Sequence, residues 1–232
     1  MHFDGYCHDK KDIAMIQKTM GNSIKKKITV WVAVSAAMLI LLLAVFRLNQ
    51  ISLQKRDYGY AREVSESEMA LRQQLISTAE AWLGTVKGSP EHHHIIDLYN
   101  AQEVLPVGYL VTYEDNWCAT FVTAVALQNN FEDIIPPECG CQRQIALFES
   151  MGCWQEDETY VPLPGDVIYY AQKKAAIGDC TGWADHVGIV VGTSEKYIKV
   201  IEGNNKDAVR YRYIRKNNYT IRGYGLPNYS GK

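Results

Sequence analysis

Tyr113-Glu-Asp-Asn-Trp-Cys118-Ala-Thr-Phe-Val-Thr-Ala-Val-Ala-Leu-Gln-Asn130 decides how the rest of this 232-residue chain is read. From Trp117 onward, Phe121, Val122, Val125, Ala126 and Leu127 recur at helical spacing. A polar approach therefore delivers Cys118 to the first turn of an apolar helix. Unpaired N–H groups and the positive end of the helix dipole favour a thiolate there. The rival reading is a buried thiol that only packs a helix. The polar, aromatic run from Tyr113 to Trp117 suits the wall of a cleft better than a core.

A nucleophilic sulfur needs a base, and one is offered 68 residues on in Trp183-Ala-Asp-His186-Val-Gly-Ile-Val-Val-Gly192. His186 opens a β-branched strand and is the one histidine after His92-His93-His94. A second strand, Tyr197-Ile-Lys-Val-Ile201, ends in Glu202-Gly-Asn204-Asn205. Its return alongside the first brings that end near His186. Glu202 is the favoured partner for the far imidazole nitrogen, with Asn204 next. Asp185 is the runner-up, because neighbouring side chains in a strand point to opposite faces.

Four blocks, Asn116-Trp-Cys118-Ala-Thr-Phe-Val, Leu163-Pro-Gly-Asp166-Val-Ile, Asp185-His-Val-Gly-Ile-Val and Val200-Ile-Glu-Gly-Asn204, occur in this order. With them the stretch from about Ser67 to Gly225 resembles the CHAP branch of the NlpC/P60 superfamily of peptidoglycan amidases and endopeptidases. The resemblance implies an α+β, papain-like fold with N-terminal helices packed on a small antiparallel sheet. It implies Cys118 as nucleophile, His186 as general base, an acidic residue and an asparagine at Glu202 and Asn204, and peptidoglycan as substrate, with no cofactor and no metal. Tyr113, five residues before the cysteine, lies where relatives often carry a tyrosine, and Trp117 and Trp183 are candidate cleft-lining residues. Asp166, after a Pro-Gly turn, is expected to hold that turn. Two alternatives stand beside hydrolysis: a surface module that binds wall peptides or a protein without cutting, and a transferase that passes the acyl group to an amine or hydroxyl.

The N-terminal quarter reads differently. Ile28 to Phe46 runs 19 residues without a charge, just enough to cross a bilayer as one helix. No small-residue cleavage site follows Phe46, which favours an uncleaved anchor over a signal peptide. Lys25-Lys26-Lys27 against Arg47 alone places the N-terminus in the cytoplasm and everything catalytic outside. The expected organisation is a cytoplasmic segment 1–27, an anchor 28–46, an extracytoplasmic linker 47–65 and a catalytic domain 66–232. Met20 would also serve as a start, leaving a short basic lead, a point that the intact mass of the native protein decides.

Six lysines and three aspartates give residues 1–46 a charge of +3, leaving −5 for the remainder of a chain whose net charge is −2. An acidic domain gives no electrostatic reason to expect nucleic acid as a partner. A hydrophobic fraction of 47 % with 11 % aromatic residues excludes a disordered chain. With Cys7 inside and Cys118 reactive, Cys139, Cys141, Cys153 and Cys180 remain, an even number that permits two disulfides. They lack the paired knuckles of common zinc sites. His92, His93 and His94 point in different directions on a helix, so they are read as a solvated helix start. Helices are further expected from Ser65 or Ser67 to Gly84 and from Gln142 to Ser150. Strands are expected over 166–170 and 208–214, with a closing segment at 219–226.

Overall fold

The structure is a computed structural model that describes residues 27, 29–32, 34–49, 63–157, 159–172 and 182–232. The chain divides into two units, Met1–Arg56 and Asp57–Lys232. In the first, helix α1 (Thr29–Asn49) has 21 residues and is long and apolar enough to cross a membrane, and none of its described residues is buried. It runs past Phe46 into what the sequence assigns to the linker. The segment before it, Cys7, most of the linker and the loop carrying Cys180 lie outside the described residues.

The second unit begins with α2 (Glu66–Ala81), whose first turn is capped by Ser65 Oγ accepting from the Glu68 N–H at 3.1 Å. The apolar stripe expected from Met69 to Leu83 is narrower than its sequence suggests. Leu75, Ile76 and Ala79 are buried, whereas Met69 and Leu83 are exposed, and the buried position between Met69 and Leu75 belongs to Arg72. Helix α3 (Pro90–Asn100) starts from the Ser89 cap with proline in its first turn. Helix α4 (Cys118–Gln128) is buried on every side from Cys118 to Ala126, as an all-round apolar helix must be. Helix α5 (Cys141–Ser150) follows the Pro136-Pro137 break.

The strands are β1 (Trp154–Gln155), β2 (Val167–Tyr170), β3 (His186–Thr193), β4 (Tyr197–Glu202), β5 (Arg210–Arg215) and β6 (Ile221–Gly225). They form one antiparallel sheet in the order β1-β6-β2-β3-β4-β5. Helices first and antiparallel strands after make the unit α+β. β1 is too short to show an alternation in sequence. The closing segment becomes β6, in the interior of the sheet rather than along its rim.

The alternation of the strands sorts two cores. Val167, Tyr169, Val187, Ile189 and Ile201 join the helix residues Leu75, Ile95, Phe121 and Val125, while Ile168, Tyr170, Val190, Ile198, Val200 and Tyr224 form a smaller cluster. Among the described cysteines, Cys118, Cys139, Cys141 and Cys153 are free thiols.

Arg72 explains how the helices register on the sheet. Its Nη1 donates to Asp166 Oδ1 at 2.9 Å and to the Pro164 carbonyl at 2.8 Å. Asp166, 1 % exposed, also accepts from Tyr160 Oη at 2.6 Å and the Leu163 N–H at 2.8 Å. Tyr229 closes the same turn by donating to the Gly165 carbonyl at 2.8 Å. Asp166 thus fastens the turn that launches β2. Removing one partner of a buried ion pair leaves an uncompensated charge. Arg72→Met is therefore expected to lower unfolding stability by about 3 kcal/mol, read from the shift in denaturant midpoint. No shift would mean that Asp166 is satisfied without Arg72.

Candidate active site

Cys118 is the first residue of α4, and its N-cap, Trp117, contributes no side-chain cap. The N–H groups of that first turn are therefore left to the sulfur and to whatever approaches it, and the Ala119 N–H bonds the sulfur. The sulfur is held well below its ordinary pKa. The largest cause is a hydrogen bond with Cys141, whose Sγ lies 3.7 Å away, and His186 adds a hydrogen bond and its charge against the opposing effect of burial. Cys141 moves the other way, well above its ordinary value, because it faces that thiolate in a buried place. The pair thus holds one proton, on Cys141.

His186 opens β3, with its Nε2 3.0 Å from Glu202 Oε2 at the end of β4. That leaves Nδ1 as the ring nitrogen for Cys118. The register pairs Ile189 with Ile201, so Glu202 reaches His186 diagonally past Gly188. The reach depends on Gly188 having no side chain, since a Cβ there would lie 2.6 Å from Glu202 Cγ. Gly203 gives a second clearance: its added Cβ would lie 2.4 Å from Phe121 Cβ, so glycine lets the end of β4 close on α4.

Glu202 is 0 % exposed yet ionised. Burial pushes its carboxyl up, and His186 and Arg212 outweigh that and hold it below the ordinary carboxylate value. Arg212 Nε donates to Oε1 at 2.5 Å and Asn205 Nδ2 to Oε2 at 2.8 Å. Tyr170 stacks on the imidazole at 5.8 Å between ring centroids, with the Arg212 guanidinium 5.1 Å from its own ring centre. Burial alone would lower the His186 pKa, but hydrogen bonds with Cys118 and Glu202 raise it to about 10. The site is therefore a thiolate–imidazolium pair held from behind by a carboxylate.

The other sequence candidates fall in different places. Asn204 Nδ2 donates to Asn116 Oδ1 at 3.1 Å, two residues before Cys118, and its neighbour Asn205 is the asparagine on Glu202. Asp185 accepts from the Gln172 N–H at 3.0 Å, just after β2. Tyr113 donates to Asp97 at 2.9 Å and stacks on His93 with centroids 3.8 Å apart. Trp117 is 0 % exposed, which bars it from lining an open cleft, because its ring is packed against His92 and Phe121. Trp183 is 71 % exposed. The triple histidine is a solvated helix start only in part: His94 is exposed and His93 half-buried, but His92 is not solvated. His92 is buried, accepts the Gly88 N–H on Nδ1 at 3.1 Å and packs on Trp117, and His94 packs on Trp82.

Close in sequence to the starts of α4 and α5 lies an open groove of about 420 Å³, lined by Val107, Tyr109, Asp115, Asn116, Gly140 and Arg143 among others. It carries the Asp115 carboxylate, which accepts from Thr112 and Tyr109, and the half-exposed Arg143 guanidinium, which is paired with Glu138. Arg212, Asn205, Gly188 and Cys141 were not singled out from the sequence as site residues. For Arg212 a partial signal existed: a carboxylate buried at a strand end needs a cation, and the next strand carries two, Arg210 directly opposite Glu202 and Arg212 opposite Val200, of which the diagonal Arg212 makes the bond.

No family model matches the chain, and no curated protein matches it. Among solved structures, the chain is distantly similar to an NlpC/P60 family protein from Bacillus cereus ATCC 10987, with a TM-score of 0.40 and 16 % identity over 67 % of this chain and 40 % of that one. It is also similar to Ly7917, with a TM-score of 0.37 and 12 % identity over 67 % of this chain and 62 % of the other. The chain spans less than two thirds of the length of either.

Glu202→Gln keeps the shape and removes the charge that supports the imidazolium. The His186 titration, followed by imidazole NMR, is expected to fall from about 10 towards its ordinary 6.5. Gly188→Ala forces Glu202 aside without deleting a charge and is expected to move the titration in the same direction. An imidazole that titrates unchanged in both variants would remove Glu202 from its role.

Proposed function

We propose that the protein is a membrane-anchored cysteine hydrolase that cleaves an amide bond of peptidoglycan, either between N-acetylmuramic acid and L-alanine or within the stem peptide and its cross-bridge. The observation that carries the reading is the Cys118–His186–Glu202 arrangement at the start of α4, with Nε2 of His186 3.0 Å from Glu202. The Cys118 thiolate attacks the amide carbonyl carbon, and first-turn N–H groups of α4 stabilise the oxyanion. The His186 imidazolium then protonates the departing amine as the C–N bond breaks. Water, with its proton taken by His186, attacks the resulting thioester, releases the new carboxylate and restores the sulfur. A groove holding both Asp115 and Arg143 suits peptides that carry amines and carboxylates, as wall stem peptides do.

In this reading α1 is an uncleaved anchor, with the cytoplasm on the side of Lys25-Lys26-Lys27 and the catalytic unit facing the wall. The sequence resemblance to CHAP enzymes supports the substrate.

Full-length protein in detergent, wild type and Cys118→Ala, incubated with purified peptidoglycan, is expected to release new fragments only in the wild-type sample. Mass spectrometry separates the two bond classes. New L-alanine amino ends beside free lactyl groups mark an amidase, and new ends within the peptide mark an endopeptidase. His186→Ala is expected to lower the rate by about 10²–10⁴-fold. Binding to the wall with no cleavage on several wall chemistries would favour the non-hydrolytic module instead.

The ion pair also fixes a pH dependence. Activity requires Cys118 without its proton and His186 with its own. The rate is expected to rise through a Cys118 ionisation well below 9 and to fall as His186 deprotonates near 10. A profile that rises only above pH 9 would show that the nucleophile is not held as a thiolate.

A further inference from the structure

The mechanism uses one sulfur, but the site contains two. Cys118 Sγ and Cys141 Sγ are 3.7 Å apart, each on the first residue of its helix. Closing to a disulfide of about 2.05 Å requires each sulfur to move by about 0.8 Å, within the reach of small side-chain rotations. The separation is set by structure on both sides. Thr123 of α4 donates from Oγ1 to the Glu138 carbonyl at 2.7 Å and accepts the Glu138 N–H at 2.9 Å. The Glu138 carboxylate accepts the N–H groups of Cys139 at 2.8 Å and Gly140 at 3.0 Å, which fixes the start of α5. Gln144 ties the same helix to the Pro136 carbonyl at 2.9 Å and to Tyr169 at 2.9 Å. The other described thiols are engaged elsewhere: Cys139 with Arg143 at 3.4 Å and Cys153 with the Met151 carbonyl at 3.5 Å.

We propose that Cys118 and Cys141 form a site of reversible oxidative modification, in which hydrogen peroxide converts the nucleophile to an intramolecular Cys118–Cys141 disulfide. In the first step the Cys118 thiolate attacks a peroxide oxygen, the O–O bond breaks, and the leaving hydroxide takes a proton to become water. Cys118 is then a sulfenic acid. In the second step the Cys141 sulfur attacks the Cys118 sulfur, the S–O bond breaks, and hydroxide departs with the Cys141 proton as a second water. Two thiols lose two electrons and the peroxide gains them.

Access favours so small an oxidant, because Cys118 is 6 % and Cys141 8 % exposed. The low pKa of Cys118 keeps it in the form that attacks peroxide, and Cys141 waits beside it with its proton. The disulfide removes the attacking lone pair, so the site is shut while it lasts and reopens with a dithiol reductant. Cys141 also intercepts the sulfenic acid before further peroxide takes it to the irreversible sulfinic acid. The covalent chemistry rests on the sulfur pair alone, and its effect on turnover rests on Cys118 being the nucleophile.

The test reads covalent state rather than activity. Full-length protein in detergent is reduced, treated with stoichiometric hydrogen peroxide, alkylated, and cleaved after glutamate. Cleavage at Glu132 and Glu138 separates Cys118 from Cys139 and Cys141. The expected product is a peptide pair joined through Cys118 and Cys141, assigned by fragmentation, lost on dithiothreitol treatment and unchanged in yield in Cys139→Ser. In Cys141→Ser, Cys118 is expected to proceed to sulfinic acid at peroxide doses that leave it recoverable in the wild type. Wild-type protein that yields sulfinic acid at Cys118 without the joined peptides, or that joins Cys118 to Cys139, would overturn the proposal. Either result leaves the peptidoglycan assay, run under reducing conditions, as an independent measure of the hydrolase reading.

Discussion

One buried negative charge organises the site. The Glu202 carboxylate has no exposed surface, and a charge so placed is tolerated only when counter-charges and donors surround it. Its partners come from three successive parts of the chain: His186 on β3, Asn205 in the turn after β4, and Arg212 on β5. Meeting the demands of one carboxylate therefore sets the imidazole tautomer, the turn and the neighbouring strand together. The hydrogen bond from Cys141 does most to hold Cys118 as a thiolate, and the imidazolium that results here adds to it.

Asp166 shows that burial alone does not decide the outcome. Both carboxylates are almost fully buried, yet burial leaves Asp166 above its ordinary value while Glu202 is held below. Asp166 has one cation, Arg72, with a phenol and a backbone N–H as neutral donors. Glu202 has two groups able to carry positive charge, His186 and Arg212. The second cation decides the sign. One node holds a turn together, and the other keeps a proton on a base.

Much of this was legible in the sequence because its signals are local. The Phe121-to-Leu127 spacing, the alternation around His186 and the Ser65 and Ser89 caps each depend on neighbours within a few residues. Cys118, His186 and Glu202 could be proposed because each sits at the end of such an element. What escaped was set by pairing between distant elements. Arg212 escaped because the next strand offers two arginines, and only the register and the diagonal reach select it over Arg210 as the partner of Glu202. His92 looked solvated because its burial comes from Trp117, 25 residues away. Trp117 looked like a cleft wall because its polar neighbours conceal a side chain that turns into the core. Cys141 was weighed for disulfides and zinc, but its approach to Cys118 depends on how α5 is pinned to α4 through Thr123 and Glu138.

The place of β6 has a consequence for timing. Ile221–Gly225 leaves the ribosome after every other strand, yet it lies between β1 and β2, hydrogen-bonded on both sides. Until it arrives, β2 has an open edge, and β1 has no partner at all. The β3–β4 pair that carries His186 and Glu202 is a local hairpin and can close early, but the sheet around it cannot. Sheet closure is thus a late event, withheld until the end of the second unit has emerged.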